Sequence, residues 1–373
     1  MNKNIDISNI IEMIKNMDFE PLMNVLEHVI LYYVVKAINR EDEATYNFHK
    51  EFIPKDISKV VLPPELIQKE TEVDYEKLSA EWFGEQVIEF AKFMEKEFSQ
   101  ADLVNFYNNI NRLVVEAYEP KRKRIIINKL SRKIGIYNAI RNKISIEKDY
   151  IKTSIFHELF HMASARYVDG WLYGGFEQIS SDNSFIIGRG LNEGYTQLLA
   201  ERYFGHIEGV KGTYPYLVKV AGLLEEIVGA DKMTSLYLRA DLPGLINELK
   251  EYASEDEISK FLSALDFVEK FLNDPPGLPF EDALITQSLV TINEFLLKLG
   301  GIKAGKMFMR GEFKNEDDFS NFLGGYINNI GFGIEIDNRK YYYLDEERIK
   351  EIIFKNLFKK SREYVANEAK AKM

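Results

Sequence analysis

The segment 151–163, "IKTSIFHELFHMA", limits what this chain can fold into more than any other. Ile151, Ile155, Leu159 and Met162 fall on one helical stripe, and Phe156, Phe160 and Ala163 cover a second. The spacing predicts a helix from about Asp149 to Arg166, buried over most of its surface. Yet His157, Glu158 and His161 stand on that helix in the order H-E-x-x-H. One turn apart, the two histidines project from the same face, close enough to share one ion. Glu158 is rotated from them by about 100°, where a carboxylate suits a base better than a ligand. An ionised glutamate in so apolar a helix is costly unless a cation or partner is near. The structural alternative is a core helix with two hydrogen-bonded histidines and a glutamate that reaches solvent.

The rest of the chain narrows the choice of ligands. Its 373 residues include five histidines and no cysteine. Disulfides, thiolate metal sites and cysteine nucleophiles are excluded together, so an ion must be held by imidazole and carboxylate. The all-histidine extension of the motif needs glycine at 164 and histidine at 167, where the chain has Ser164 and Tyr167. A carboxylate has to complete the site, and "GLNEGYTQLLAERYF" (190–204) offers Glu193. It falls in the first turn of a predicted helix, where negative charge suits the dipole. Asn192 is a candidate cap, and Gln197, one turn on, can hydrogen-bond a ligand imidazole. Taken alone, this second segment reads as an ordinary capped helix with an acid in its first turn.

"HELFH" followed by "LNEGYT" resembles the gluzincin zinc peptidases. "LNEGYT" is similar to the N-E-G segment of the aminopeptidase-N-like branch, and Asn192-Glu193 parallels the N-E pair of thermolysin. The resemblance implies Zn2+ held by His157, His161 and Glu193, with Glu158 as general base. "IGIYNAIRNKISI" (134–146) resembles the strand before the active-site helix in small gluzincins, whose edge lines the substrate groove. Gly135 and Tyr137 would then lie along an extended peptide. The likeness runs from about residue 124 to 230, under a third of the chain. No G-x-M-E-N-type segment is present to bind a substrate amine, so exopeptidase activity is not implied.

What the resemblance implies is a zinc-dependent peptidase acting on a peptide or protein substrate. Two alternatives stay open: a zinc-containing binding or regulatory protein without catalysis, and a metal-dependent hydrolase of a non-peptide amide or ester. Gluzincins also place a tyrosine or histidine opposite the base. Distance disfavours Tyr214 and Tyr216, because a helix from Glu193 to Phe204 ends roughly 16 Å from the metal at 1.5 Å per residue. A chain turning back would then meet the ion nearer Val228. Tyr173 and Tyr237 remain candidates.

Elsewhere the pattern is helical. Residues 5–118 recur with helical spacing, interrupted by the proline-bearing "FIPKDISKVVLPPEL". "RIIINKL" (124–130) and the stretch 134–146 have strand composition. "DGWLYGGFEQISSDNSFIIGRG" (169–190) reads as a loop, and "IEIDNRKYYYL" as a hairpin turning at Asp337-Asn338. The expected fold is mainly α with a small mixed β-sheet: a gluzincin, thermolysin-like catalytic core flanked by helical regions. Its divisions are 1–118, helical; 119–240, zinc-binding and catalytic; and 241–373, helical. A net charge of −11 argues against nucleic acid as a partner, and "KRKR" (121–124) reads as a solvated strand flank. The most apolar stretch, 21–38, carries Asn24, Glu27 and His28, so it reads as a core helix, with no membrane span. With no secretory signal, cytoplasmic residence is the default expectation. His28, His49 and His206 read as packing residues.

Overall fold

The structure, a computed structural model, describes residues 54–65, 67–118, 135–207, 210, 214–273 and 279–330, with shorter stretches at 333–336, 339–342, 348–349, 351–353 and 356. Expectations for residues 1–53, "KRKR" and "RIIINKL" lie outside the described residues. The chain divides into two compact units: one spans Phe52–Asp282, and the other takes in the described residues from Ala283 onward. The divisions drawn from sequence at 118 and 240 both fall inside the first unit.

That first unit opens with helices α1 (Tyr75–Ser79), α2 (Gly84–Glu97) and α3 (Val104–Ile110). Strands β1 (Val114–Tyr118), β2 (Gly135–Asn138) and β3 (Lys143–Glu147) come next, then α4 (Ile151–Ser164). Four short strands follow: β4 (Ala165–Val168), β5 (Trp171–Gly174), β6 (Glu177–Ser180) and β7 (Ile186–Ile187). Helices α5 (Arg189–Phe204), α6 (Pro215–Val228), α7 (Ala230–Leu238), α8 (Leu242–Leu249) and α9 (Glu255–Asn273) complete it. Beyond lie α10 (Pro279–Met309), α11 (Glu316–Ile330) and a hairpin of β8 (Gly333–Ile336) and β9 (Arg339–Tyr342). In the second unit Leu289, Ile292 and Leu296 of α10 and Leu323 and Ile327 of α11 are buried. The fold is mainly helical with small sheets, one of them mixed: β3 runs parallel to β1 and antiparallel to β2.

The apolar faces of α4 decide what surrounds it. Ile155, Leu159, Phe160, Met162 and Ala163 are fully buried. Phe160 meets Phe90 of α2 edge-on at 5.0 Å between centroids, and Phe156 stacks on Phe204 of α5 at 4.1 Å. These rings hold α4 between α2 and α5, and aromatic pairs of this kind add about 0.5–1.5 kcal/mol each beyond area burial. The C-terminus of α4 is closed from α3. Asn109 donates its amide to the carbonyls of Met162 and Ala165, at 2.9 and 2.7 Å, satisfying groups a helix end leaves open.

Three local expectations change. The helical reading of "ADLVNFYNNINRLVVEAY" holds only to Ile110, because Val114–Tyr118 pairs with β3 in register Val115↔Ile144. Its β-branched residues serve a sheet rather than a turn of helix. The H-E-x-x-H helix stops at Ser164, and Ala165–Val168 is already a strand. Residues 169–190, read as a loop, contain most of a four-stranded antiparallel sheet in the order β4-β5-β6-β7. Strands of two to four residues are too short to show periodicity. The turn chemistry was there to read: Asp169 and Gly170 adopt φ +52° and +79° between paired strands, the hairpin signature of an Asp-Gly pair. The hairpin read at 334–344 forms, with Ile336 paired to Arg339.

The start of α5 is built from distant chain. Its cap is Gly188, at φ +82°, rather than Asn192, which lies inside the helix. Gly188 and Gly190 donate their N–H groups to the two oxygens of Asp266 on α9, each at 3.0 Å, and Lys55 Nζ lies 2.8 Å from the same carboxylate. Among the described residues no helix is long and apolar enough to cross a membrane. We expect Asp266→Ala to unfold at lower urea, with a loss of about 2–4 kcal/mol for a buried carboxylate bonded to a lysine and two amides. An unchanged urea midpoint would contradict this account of how α5 is anchored.

Candidate metal centre

His157 and His161 of α4 and Glu193 of α5 converge, and one ligand atom from each lies within 4.8 Å of the others. The two Nε2 atoms are 3.0 Å apart. Glu193 Oε2 is 3.1 Å from His157 Nε2, and Glu193 Oε1 is 3.6 Å from His161 Nε2. A tetrahedral ion with bonds of about 2.1 Å has ligand atoms about 3.4 Å apart, so the three separations suit one such ion. A donor set of two imidazoles and a carboxylate fits a borderline cation such as zinc.

The surrounding hydrogen bonds bear on whether the nitrogens are free to ligate. Gln197 donates its amide N–H groups to the Val210 carbonyl at 2.7 Å and to Glu201 at 2.9 Å. Its Oε1 therefore faces His157 Nδ1, at 3.0 Å, as an acceptor. With the imidazole proton fixed on Nδ1, the Nε2 of a neutral His157 is bare and aimed at the triad. Asn192 lies at the other histidine, its Nδ2 3.3 Å from His161 Nδ1. Thr196 Oγ1 stands 3.5 Å from that same nitrogen.

Glu158 is buried between α4 and the sheet. The Tyr137 backbone N–H donates to its carboxylate. Gly135 is what makes room: a Cβ there would sit 2.6 Å from Glu158 Oε1. The absence of a side chain at 135 thus serves the glutamate directly. Tyr137 turns its phenol to Asn142 Oδ1, 3.0 Å away, and Asn142 Nδ2 donates to the Asn109 carbonyl at 2.8 Å. Among the described residues β2 pairs only with β3, and its other edge takes no strand.

Triad, Glu158 and β2 line one cleft of about 350 Å3. The same cleft is lined by Glu177 and Arg189, whose Nε donates to Glu177 at 2.6 Å, and by Glu269. Tyr214 also lines the cleft, its ring centroid 6.3 Å from that of His157 and its hydroxyl donating to Asn273 at 3.2 Å. The distance argument against Tyr214 is therefore overturned. The chain doubles back directly after α5, as the Val210 contact with Gln197 shows, instead of returning only at the far end of α6. Tyr214 holds the left-handed conformation, φ +53°, a strain seldom kept without cause. The other two tyrosines sit elsewhere. Tyr173 is buried with its ring 5.5 Å from the Arg166 guanidinium, and Tyr237 is buried with its hydroxyl on Thr196, behind His161.

Charge at the site follows from its neighbours. Burial pushes the Glu158 carboxyl up, against the pull of His157 and His161. For Glu193 burial also works against ionisation, but the His161 charge and the imidazoles that face it hold it well below the usual carboxylate range. Burial would lower His161, yet Glu193, and to a lesser degree Glu158 and Glu177, raise it to about 9. Without an ion, an imidazolium occupies this acidic pocket. Burial, then Glu193 and Glu269, push the Tyr214 phenol up, so it keeps a proton to donate.

No family model, curated protein or solved structure matches this chain. Fold and site by themselves define a mainly helical protein with a His157–His161–Glu193 group able to bind a metal ion. Thr196 and the Glu177–Arg189 pair are the support and cleft residues that sequence patterning does not single out, and Tyr214 is one that it sets aside on distance.

Two outcomes follow. A divalent ion must displace the proton that His161 holds up to about pH 9. Binding at neutral pH should then release about one proton per ion, and affinity should weaken about tenfold for each pH unit below 9. Calorimetry in buffers of different ionisation enthalpy reads this directly, and binding without proton release would contradict it. Gly135→Ala should displace Glu158 while metal stoichiometry stays at that of wild type. A variant that loses its metal instead would mean that Gly135 supports the triad rather than the glutamate.

Proposed function

We propose that this protein is a zinc-dependent peptidase of gluzincin type, hydrolysing peptide bonds in an extended substrate. The observation that carries the reading is the joint presence, in one cleft, of the His157–His161–Glu193 donor set, a buried carboxylate at Glu158, a protonated phenol at Tyr214 and the edge of β2.

Zinc in such a donor set supplies a Lewis acid and makes water acidic near neutral pH. Glu158, held by the Tyr137 N–H and packed against Gly135, accepts the proton of the attacking water. The same carboxylate then delivers that proton to the leaving amine. A cation in the adjacent donor set opposes the burial that pushes the Glu158 carboxyl up, which favours the ionised form a base requires. Tyr214, a wall of the same cleft, would donate to the oxygen that gains charge as the carbonyl is attacked, once its hydroxyl leaves Asn273. Apart from the Tyr137 N–H, which Glu158 holds, the backbone of Gly135–Asn138 offers strand-like pairing to an extended chain, with Ile136 exposed beside it. That edge favours a peptide over a small ester.

Metal analysis of purified protein should find about one zinc per chain. A mixed peptide library, read by mass spectrometry, should show cleavage that a chelator abolishes and zinc restores. Glu158→Gln should keep its zinc and lose about 10²–10⁴ in turnover. Tyr214→Phe should lose about 10²–10³ in kcat with KM little changed. Silence across the library from zinc-loaded protein would overturn the peptidase reading in favour of an inert zinc protein or a hydrolase of other substrates.

A further inference from the structure

We propose that residues 55–74 form a releasable strap that regulates the metal centre. Seated, it holds the start of α5 where Glu193 meets His157 and His161; released, it weakens their grip on an ion. The inference rests on the reading of those three residues as a metal site.

The strap is held chiefly by polar bonds. Among its described residues none is buried, and Leu62 and Ile67 turn outward, 77% and 72% exposed. What grips it is a series of side chains that take up its main chain. At Lys55, Ser263 Oγ accepts the N–H at 2.8 Å and Ser259 Oγ donates to the carbonyl. Further on, the fully buried Gln178 does both for Val61, accepting at 3.0 Å and donating at 2.9 Å. Asn108 of α3 takes the Lys69 N–H at 2.8 Å and the Ile67 carbonyl at 3.0 Å, and Asn111 repeats the pattern at Asp74 and Glu72. Water can take the place of these partners. Without burial, the segment falls among those that open locally at small cost.

The bonds of the strap lead to the elements that carry the ligands. Lys55 Nζ pairs with Asp266 at 2.8 Å, and that carboxylate receives the Gly188 and Gly190 N–H groups at the start of α5. Glu193 follows within one turn. Burial pushes the Asp266 carboxyl up, and Lys55 is the largest influence against it, ahead of the two amides. Lys55, with its side chain 34% exposed, thus keeps the acceptor of α5 ionised, and an ionised carboxylate holds N–H groups more strongly than a neutral acceptor. Gln178 stands on β6 between Glu177 and Ile179, which line the cleft from the opposite face of the strand. Asn108 precedes Asn109, which closes the C-terminus of the helix that bears His157 and His161. Lys55 acts here as a positioning residue for Glu193. Because coupling between two sites is reciprocal, an ion bound at the triad must in turn hold the strap in place.

Hydrogen exchange in wild type and zinc affinity in two variants test this. The Lys55, Val61, Gly188 and Gly190 amides should exchange about 10- to 100-fold more slowly with zinc bound than without. The Asp318 amide, held by Asn315 at 2.8 Å in the second unit, should not change. Zinc affinity, read by competition with a chromophoric chelator on protein shown to be folded, should fall about 10- to 100-fold in Lys55→Met and stay near wild type in Lys55→Arg. Exchange at the strap that zinc leaves unaltered, or slows equally at Asp318, would overturn the proposal, as would Lys55→Met with wild-type affinity. Wild type that binds zinc without this coupling refutes the strap alone. Wild type that binds no zinc refutes the metal reading, and the strap with it.

Discussion

Everything in the candidate site depends on α4 and α5 being locked face to face. Phe156 of one stacks on Phe204 of the other, and Phe90 of α2 braces the pair against Phe160 of α4. The contact is apolar and buried, and it fixes the backbone that carries the charged groups beside it. Two imidazoles and a carboxylate brought within 3.6 Å of one another have no reason to stay there unless the backbone leaves them no alternative. The anchoring of the α5 N-terminus on Asp266 and Lys55 adds a second constraint, fixing how far along its axis the helix sits.

On that scaffold the electrostatics become legible. Four carboxylates line the cleft, at Glu158, Glu177, Glu193 and Glu269, and Arg189 is the fixed cation among the lining residues. The excess of negative charge is what keeps an imidazolium at His161 against the cost of burial. The same excess favours a divalent cation over a proton once one is available. Against its burial Glu158 has the charges of His157 and His161, one backbone N–H from Tyr137, and the space that Gly135 leaves open.

How much of this could be read from residues alone depended on how local the determinant was. His157 and His161 are one turn apart on one helix, so spacing placed them together without knowledge of the fold. Glu193 and Gln197 required only that a second helix follow and face the first. The β4–β7 sheet was missed because its strands are too short for periodicity, although Asp169-Gly170 marked one of its turns. Tyr214 was argued away because its position depends on where the chain reverses after Phe204. That reversal is set by a side chain–backbone contact, Gln197 to Val210, that no pattern announces. Thr196 and Asp266 were invisible for a related reason. A threonine inside a helix and an aspartate in a distant one acquire meaning only from partners 35 and 76 to 78 positions away.

The central claim is that one ion sits between two helices, on His157, His161 and Glu193. X-ray absorption at the zinc edge, on protein loaded with one equivalent, tests it most directly. The account predicts a first shell of two imidazole nitrogens and light oxygen ligands at about 2.0–2.2 Å, with the imidazole scattering halved in His161→Ala. A shell of oxygens alone, or a spectrum unaltered by that substitution, would place the ion elsewhere and contradict the account.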